Sequence, residues 1–285
     1  MTESAITGNP AVAAMLTADQ VIARHNISRL GTSTGRPIVA VHGFGCDQNM
    51  WRLVTPAFAV NHPVVLLDLV GCGGSDLSAY NPTRYGTLGG YAADLVEVLE
   101  ALDLHDVVLV GHSVSAMVSM MTAQLCPQRV SALVMVSPSP RYIDSDDYVG
   151  GFSESDIAEL LDSLDDNWLG WSAAISAVIM GNADHPELAG ELNASFCRTD
   201  PAVAGHFARV TFLSDSRAEL AEVRHPTLVL QCRDDVIASQ VVGEFVAAQI
   251  PDSTYRLLDA TGHCPHLSAP SITAAAIQEF LADVG

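Results

Sequence analysis

Residues 107–121 read VVLVGHSVSAMVSMM, and the fold turns on how that stretch divides. Val107–Val110 is a short run of apolar, mostly β-branched residues ended by a glycine, the pattern of a strand buried on both faces. From Ala116 to Leu125 the apolar residues recur at helical spacing. Between the two stands Gly111-His112-Ser113-Val114-Ser115. Strand, then Gly-x-Ser-x-small, then helix is the nucleophile-elbow pattern, a turn so sharp that its serine must take a strained backbone conformation. The residues two before and two after the serine must be small to clear the neighbouring strand and helix. Gly111 meets that need, and Ser115 stands where glycine is usual.

Outward from this elbow, further strands are expected at Ile38–Val41, Val64–Leu67, Leu133–Val136, Thr227–Gln231 and Tyr255–Leu258. Helical periodicity marks Tyr91–Leu102, Val241–Gln249 and Ile272–Leu281. Such alternation predicts an α/β fold, a mostly parallel, doubly wound sheet covered on both faces. One segment interrupts it. From Pro138 to about Asp215 the pattern offers no strand, only the helix-like pieces Glu154–Leu164, Trp168–Met180, Pro186–Ser195 and Pro201–Leu213. A helical insertion between two strands is expected to cap the C-terminal edge of the sheet, where open α/β sheets bind ligands. Its aromatics (Phe152, Trp168, Trp171, Phe196, Phe207 and Phe212) should mostly form its own core, with two or three facing a pocket. The expected organisation is therefore a loose extension over residues 1–17, a core formed by 18–137 and 216–285, and a cap over 138–215.

A serine hydroxyl is a weak nucleophile that needs a base, and the base needs an orienting acid. In the elbow architecture these follow in the order serine, acid, histidine, each just past a later strand. TLVLQCRDDVIAS (227–239) supplies Asp234 and Asp235, and YRLLDATGHCPHL (255–267) supplies His263 after a glycine. The backbone amides of Phe44, in His42-Gly43-Phe44-Gly45, and of Val114 are the candidate donors to a developing oxyanion. His42 reads as a residue that braces its loop. GCGGS (71–75) imitates a dinucleotide fingerprint, but Asp76 occupies its third glycine position, so it implies no cofactor.

Composition removes other chemistries. The formal net charge is −20 and all 13 basic residues are arginine, so there is no Schiff-base lysine and no phosphate-loop lysine. So acidic a surface repels nucleic acid and anionic membranes. The six cysteines are scattered without a CxxC pair, as expected of reduced, packed thiols. His263-Cys264-Pro265-His266 is the single cluster suggestive of a metal, and no second cluster stands at ligand spacing, so no metal is expected. The first residues, Met1-Thr2-Glu3-Ser4, carry no basic region, the apolar stretch Ala11–Leu16 is too short for a signal peptide, and no apolar run approaches the ~18 residues of a membrane span. A cytoplasmic protein is the expectation.

With these residues in place, the sequence resembles the α/β-hydrolase superfamily, and within it the group containing the bacterial stress regulator RsbQ and the plant strigolactone and karrikin receptors. The resemblance runs from about Val21 to the C-terminus. Its strongest phrases are HGFGCDQNMW (42–51), GHSVSAM (111–117), SPRYIDSDDYVGGF (139–152), FCRTDP (196–201), LQCRDDVIA (230–238) and GHCPHLSAP (262–270), and FCRTDP and LQCRDD look nearer the RsbQ branch. The resemblance implies the α/β-hydrolase fold with a four-helix lid over an apolar pocket. It places the nucleophile on Ser113, the histidine on His263 and the acid on Asp235, with Ser239 where the family often has proline. It implies a pocket for a small hydrophobic ligand lined by Phe44, His112, Tyr142, Trp171, Phe212 and Ile237, with Ile175 replacing an aromatic of the plant receptors. The expected function is a cofactor-independent serine hydrolase of a small ester, lactone or butenolide-type substrate. Two alternatives stand beside it: a slow-turnover ligand sensor with a signalling partner, and a carbon–carbon bond hydrolase using the same triad.

Overall fold

The computed structural model describes residues 16–32 and 34–284; residues 1–15 of the expected extension lie outside them. The strands are β1 (Ser28–Gly31), β2 (Ile38–Val41), β3 (Pro63–Leu67), β4 (Val107–His112), β5 (Val130–Val136), β6 (Thr227–Asp234) and β7 (Ser253–Thr261). They form one 7-stranded sheet in the order β1-β3-β2-β4-β5-β6-β7. Every pairing is parallel except β1 with β3. The helices before the cap are α1 (Ala18–Arg24), α2 (Thr55–Ala59), α3 (Leu88–Ala101) and α4 (Val114–Leu125). The cap holds α5 (Glu154–Asp166), α6 (Trp168–Met180), α7 (Pro186–Phe196) and α8 (Pro201–Phe212). After it come α9 (Gln240–Gln249), α10 (Pro265–Ser268) and α11 (Pro270–Asp283).

β4 is buried along its whole length because helices cover both faces of the sheet. On one face Val107 and Leu109 join α3 and α4 through Leu95, Leu99, Met117 and Met120; on the other Val108 and Val110 meet Phe58, Ile277 and Phe280. With both faces dry, side chains of either parity must be apolar, which is why the strand reads as a continuous apolar run rather than an alternation. β1 went unread because its four residues, Ser28-Arg29-Leu30-Gly31, are all exposed and carry no pattern. The helices begin up to a turn earlier than their apolar periodicity. α3 starts at Leu88 rather than Tyr91 and α4 at Val114 rather than Ala116, because Gly89-Gly90 and Ser115 interrupt the apolar pattern of their first turns. Thr17, assigned to the extension from sequence, is the N-cap of α1 and forms a capping box with Gln20.

The cap leaves and rejoins the core at one place. Arg141 bridges Asp215, the Ser216 amide donates to the Pro140 carbonyl at 2.8 Å, and the Arg141 guanidinium pairs with the Asp215 carboxylate. Its helices bury a third apolar cluster against the core, including Trp171, Phe196 and Phe212 with Cys46, Met50 and Ile237. Among the described residues no helix is long and apolar enough to cross a membrane.

Candidate active site

Ser113 sits between the last residue of β4 and the first of α4 with φ 57 and ψ −126, a conformation that costs an L-residue roughly 1–3 kcal/mol and is held by its surroundings. The Ser113 amide donates to the Val136 carbonyl of β5 at 2.8 Å. A Cβ on Gly111 would lie 2.2 Å from the Ser115 carbonyl oxygen, so the elbow closes only with glycine there. Ser115 fits where glycine is usual because its hydroxyl turns inward to donate to the His42 carbonyl.

Asp235 is the first residue past β6. Its Oδ1 accepts the amides of Ile237 at 2.9 Å and Ala238 at 3.1 Å, and its Oδ2 accepts Gln231 Nε2 at 3.2 Å. These bonds aim the carboxylate without a proline at Ser239, which serves instead as the N-cap of α9. Asp234, the other aspartate of the pair, is exposed and stays on the strand. Past β7, Gly262 takes φ 91, and a Cβ there would lie 2.0 Å from the Met180 carbonyl oxygen. The Gly262 amide donates to Asp234 and the His263 amide to the Ile179 carbonyl of the cap, each at 2.8 Å.

These loops bring three side chains into line. His263 Nδ1 is 2.8 Å from Asp235 Oδ2, and His263 Nε2 is 2.7 Å from Ser113 Oγ. A carboxylate only accepts, so Nδ1 carries the hydrogen and Nε2 presents its lone pair to the serine hydroxyl. All three residues are buried. The Tyr142 hydroxyl lies 3.4 Å from Ser113 Oγ, and burial pushes its pKa up, keeping it protonated. Among the described residues neither the Phe44 nor the Val114 amide donates to a loop carbonyl. His42 braces its loop as expected, donating from Nδ1 to the Gly43 carbonyl and accepting the Leu69 amide at Nε2.

Above the serine lies a narrow cavity of about 30 Å³, room for roughly two waters or a two-carbon acyl group. Phe44, His112, Tyr142, Trp171, Ile175, Phe212 and Ile237 all line it. Of the cap's aromatics, Trp171 and Phe212 face it, while Phe196 and Phe207 stand behind them around the Phe44 ring, 5.4 and 5.6 Å away. Sequence reasoning missed Cys46, Ile179, Leu192, Thr211 and Cys264 in the wall. Ile179 was within reach, since Trp171, Ile175 and Ile179 fall at i, i+4 and i+8 on one face of α6. Behind the triad, burial pulls the pKa of His112 well below the usual histidine range and that of His266 down to about 3.

Comparison with known proteins agrees with this architecture. A profile described as the alpha/beta hydrolase family matches residues 38–276. Strigolactone esterase D14 of Arabidopsis thaliana is 34% identical over 257 residues, covering 90% of this chain and 96% of the relative. Karrikin insensitive 2 receptor CA of Petunia hybrida is 31% identical, over 87% of this chain and 92% of its own. Among solved structures, a hydrolase from Oleispira antarctica superposes with a TM-score of 0.92 at 39% identity, covering 95% of this chain and 99% of that one.

Proposed function

The chain belongs to the alpha/beta hydrolase family, and we propose that within it the chain is a cofactor-independent serine hydrolase of small apolar esters, lactones or butenolide-type substrates. The observation that carries this reading is the unbroken line of hydrogen bonds from Asp235 through His263 to Ser113 beneath an apolar cavity. In the proposed reaction His263 Nε2 takes the hydroxyl proton as Ser113 Oγ attacks the carbonyl carbon. The Phe44 and Val114 amides hold the oxyanion, and such donors each contribute about 100–1,000-fold to turnover. His263 then gives its proton to the leaving alcohol or enol, and the acyl group stays on Ser113. Water deprotonated by His263 releases the acid and restores the serine. Asp235 keeps the imidazole in its tautomer and stabilises the imidazolium. The narrow cavity favours short acyl groups, and ester hydrolysis is in line with the name of one relative, a strigolactone esterase.

Ser113→Ala tests the reading. Turnover of p-nitrophenyl acetate should fall by about 10⁴-fold or more with the melting transition retained; persistence of the parent rate overturns it.

A second reading is favoured by one contact: the His263 amide is bonded to Ile179 of the cap, so an event at the histidine can be passed to α6. A ligand-sensing role, in line with the receptors among the relatives, predicts slow turnover and altered amide exchange in α6 after Ser113 is acylated. Fast turnover with unchanged exchange in α6 excludes it.

A further inference from the structure

The fold supplies what the sequence lacked, a second element for the His263-Cys264-Pro265-His266 cluster. His112, at the end of β4, lies beside Cys264 and His266 with one ligand atom from each within 4.8 Å of the others, and all three residues are buried. Among the described residues this is the one group of three potential metal ligands so placed. A second observation points to a ligand there. His112 Nε2 donates to the His263 carbonyl at 2.9 Å, which leaves Nδ1 bare, and that atom has no partner among the described residues. Among the described residues both nitrogens of His266 are also without a partner, although the residue is 0% exposed. The Trp51 ring stacks on His266 at 4.5 Å and fixes its plane, and the His112 ring stands edge-on to it at 4.5 Å. Two fully buried imidazoles with vacant lone pairs are costly, and native proteins rarely tolerate them without a partner.

We propose that His112, Cys264 and His266 form a binding site for a thiophilic d¹⁰ ion, with zinc(II) as its representative. Two neutral imidazoles and a thiolate suit zinc or copper(I), and the absence of a carboxylate or carbonyl donor in the set disfavours magnesium and calcium. Binding displaces the Cys264 thiol proton to solvent, so the site takes the ion as a thiolate complex. Tetrahedral zinc with bonds of about 2.0–2.3 Å requires the three ligand atoms to close by no more than about 1 Å, leaving a fourth position for water. His112 and Cys264 both line the cavity above Ser113, which gives the ion a path in.

The His112 and His263 rings are 5.0 Å apart, so a bound cation opposes the imidazolium that forms on His263. The ion is therefore an inhibitor of hydrolysis, a consequence that rests on the serine-hydrolase reading, whereas binding itself does not. Cys197 is an exposed thiol, so the test uses reduced protein carrying Cys197→Ser. Native mass spectrometry should find one zinc per chain. Cobalt(II) should give a thiolate charge-transfer band together with the visible bands of a four-coordinate site. Cys264→Ala should remove the charge-transfer band, and His266→Phe, which keeps the stack on Trp51, should weaken binding by about 100-fold or more. One equivalent of zinc should slow p-nitrophenyl acetate hydrolysis at least tenfold, reversibly with chelator, while His266→Phe hydrolyses at its basal rate with or without zinc. No stoichiometric ion, or a charge-transfer band that survives Cys264→Ala, overturns the site. Should His266→Phe fail to fold, the band in Cys264→Ala decides alone. Metal binding without inhibition keeps the site and overturns only its regulatory consequence.

Discussion

The elbow side of the cavity and the cap side are built by different means. Below, the polar side chains are held by hydrogen bonds: the Ser113 amide on β5, the Asp235 carboxylate on two amides of its own loop, and the His263 ring between Asp235 and Ser113. Above, the cap presents Trp171, Ile175, Ile179, Leu192 and Phe212 through apolar contact, and its polar ties to the core lie mostly at the margin, as in Arg52 with Glu191 and Asn182 with the Thr261 carbonyl. Hydrogen-bonded geometry tolerates displacements of a few tenths of an ångström, whereas apolar packing absorbs changes of shape at modest cost. On the proposed function, the lower wall is suited to chemistry and the upper to choosing what reaches it.

Four measurements break or sharpen that contrast. The largest effect is expected from Asp235→Asn, which keeps the shape of the acid but withdraws the charge that holds the His263 tautomer. Turnover of p-nitrophenyl acetate should fall by about 10⁴-fold with unchanged circular dichroism. A loss under tenfold means the lower wall does not act as described. Next, Trp171→Ala should cost the protein about 3 kcal/mol in urea unfolding. It should shift preference from acetyl toward longer acyl esters by roughly tenfold while acetate turnover stays within the same order. Acetate turnover falling as far as in Asp235→Asn breaks the division of labour.

Acid should reveal the buried imidazoles of the lower wall. Burial lowers the folded pKa of His112 and His266 below the unfolded value of 6.5, so the unfolded chain takes up protons first. Stability is then complete above pH 6.5 and declines as pH falls toward the folded values, by about 1.4 kcal/mol per histidine at pH 5.5. Unfolding at pH 7.5 and 5.5 measures the loss, to which the buried His25 also contributes, and His266→Phe should remove about 1.4 kcal/mol of it; an unchanged slope refutes the assignment. The smallest effect belongs to the margin of the cap. Arg52 and Glu191 are both substantially exposed, and Arg52→Ala should cost less than about 1 kcal/mol and leave hydrolysis unaltered. A larger penalty makes the polar margin, rather than apolar contact, the hold on the cap.

Much of this was legible in the chain because the constraints are local. A Gly-x-Ser-x-small turn between a β-branched run and a helix admits one backbone path, and β4, Ser113 and α4 follow it. The alternation of apolar runs and helical periods fixed the parallel sheet, and its lapse over 138–215 coincides with the four helices α5 to α8 between β5 and β6. Where no side chain is buried, pattern falls silent, as at β1. The choice of Asp235 over Asp234 came from family resemblance. In the fold it rests on the strand ending at Asp234, so that the next residue turns inward.

Local order along the chain therefore settled which residues stand at the elbow and past the strand ends and how the backbone carries them, since strain, periodicity and residue size act over a few positions. Tertiary structure alone decided how far apart they finish: that Oγ and imidazole meet at 2.7 Å, that the cavity is narrow, and that His112 comes to rest against Cys264 and His266. Those outcomes depend on the packing of elements more than 100 residues apart in the chain, which no short-range pattern encodes.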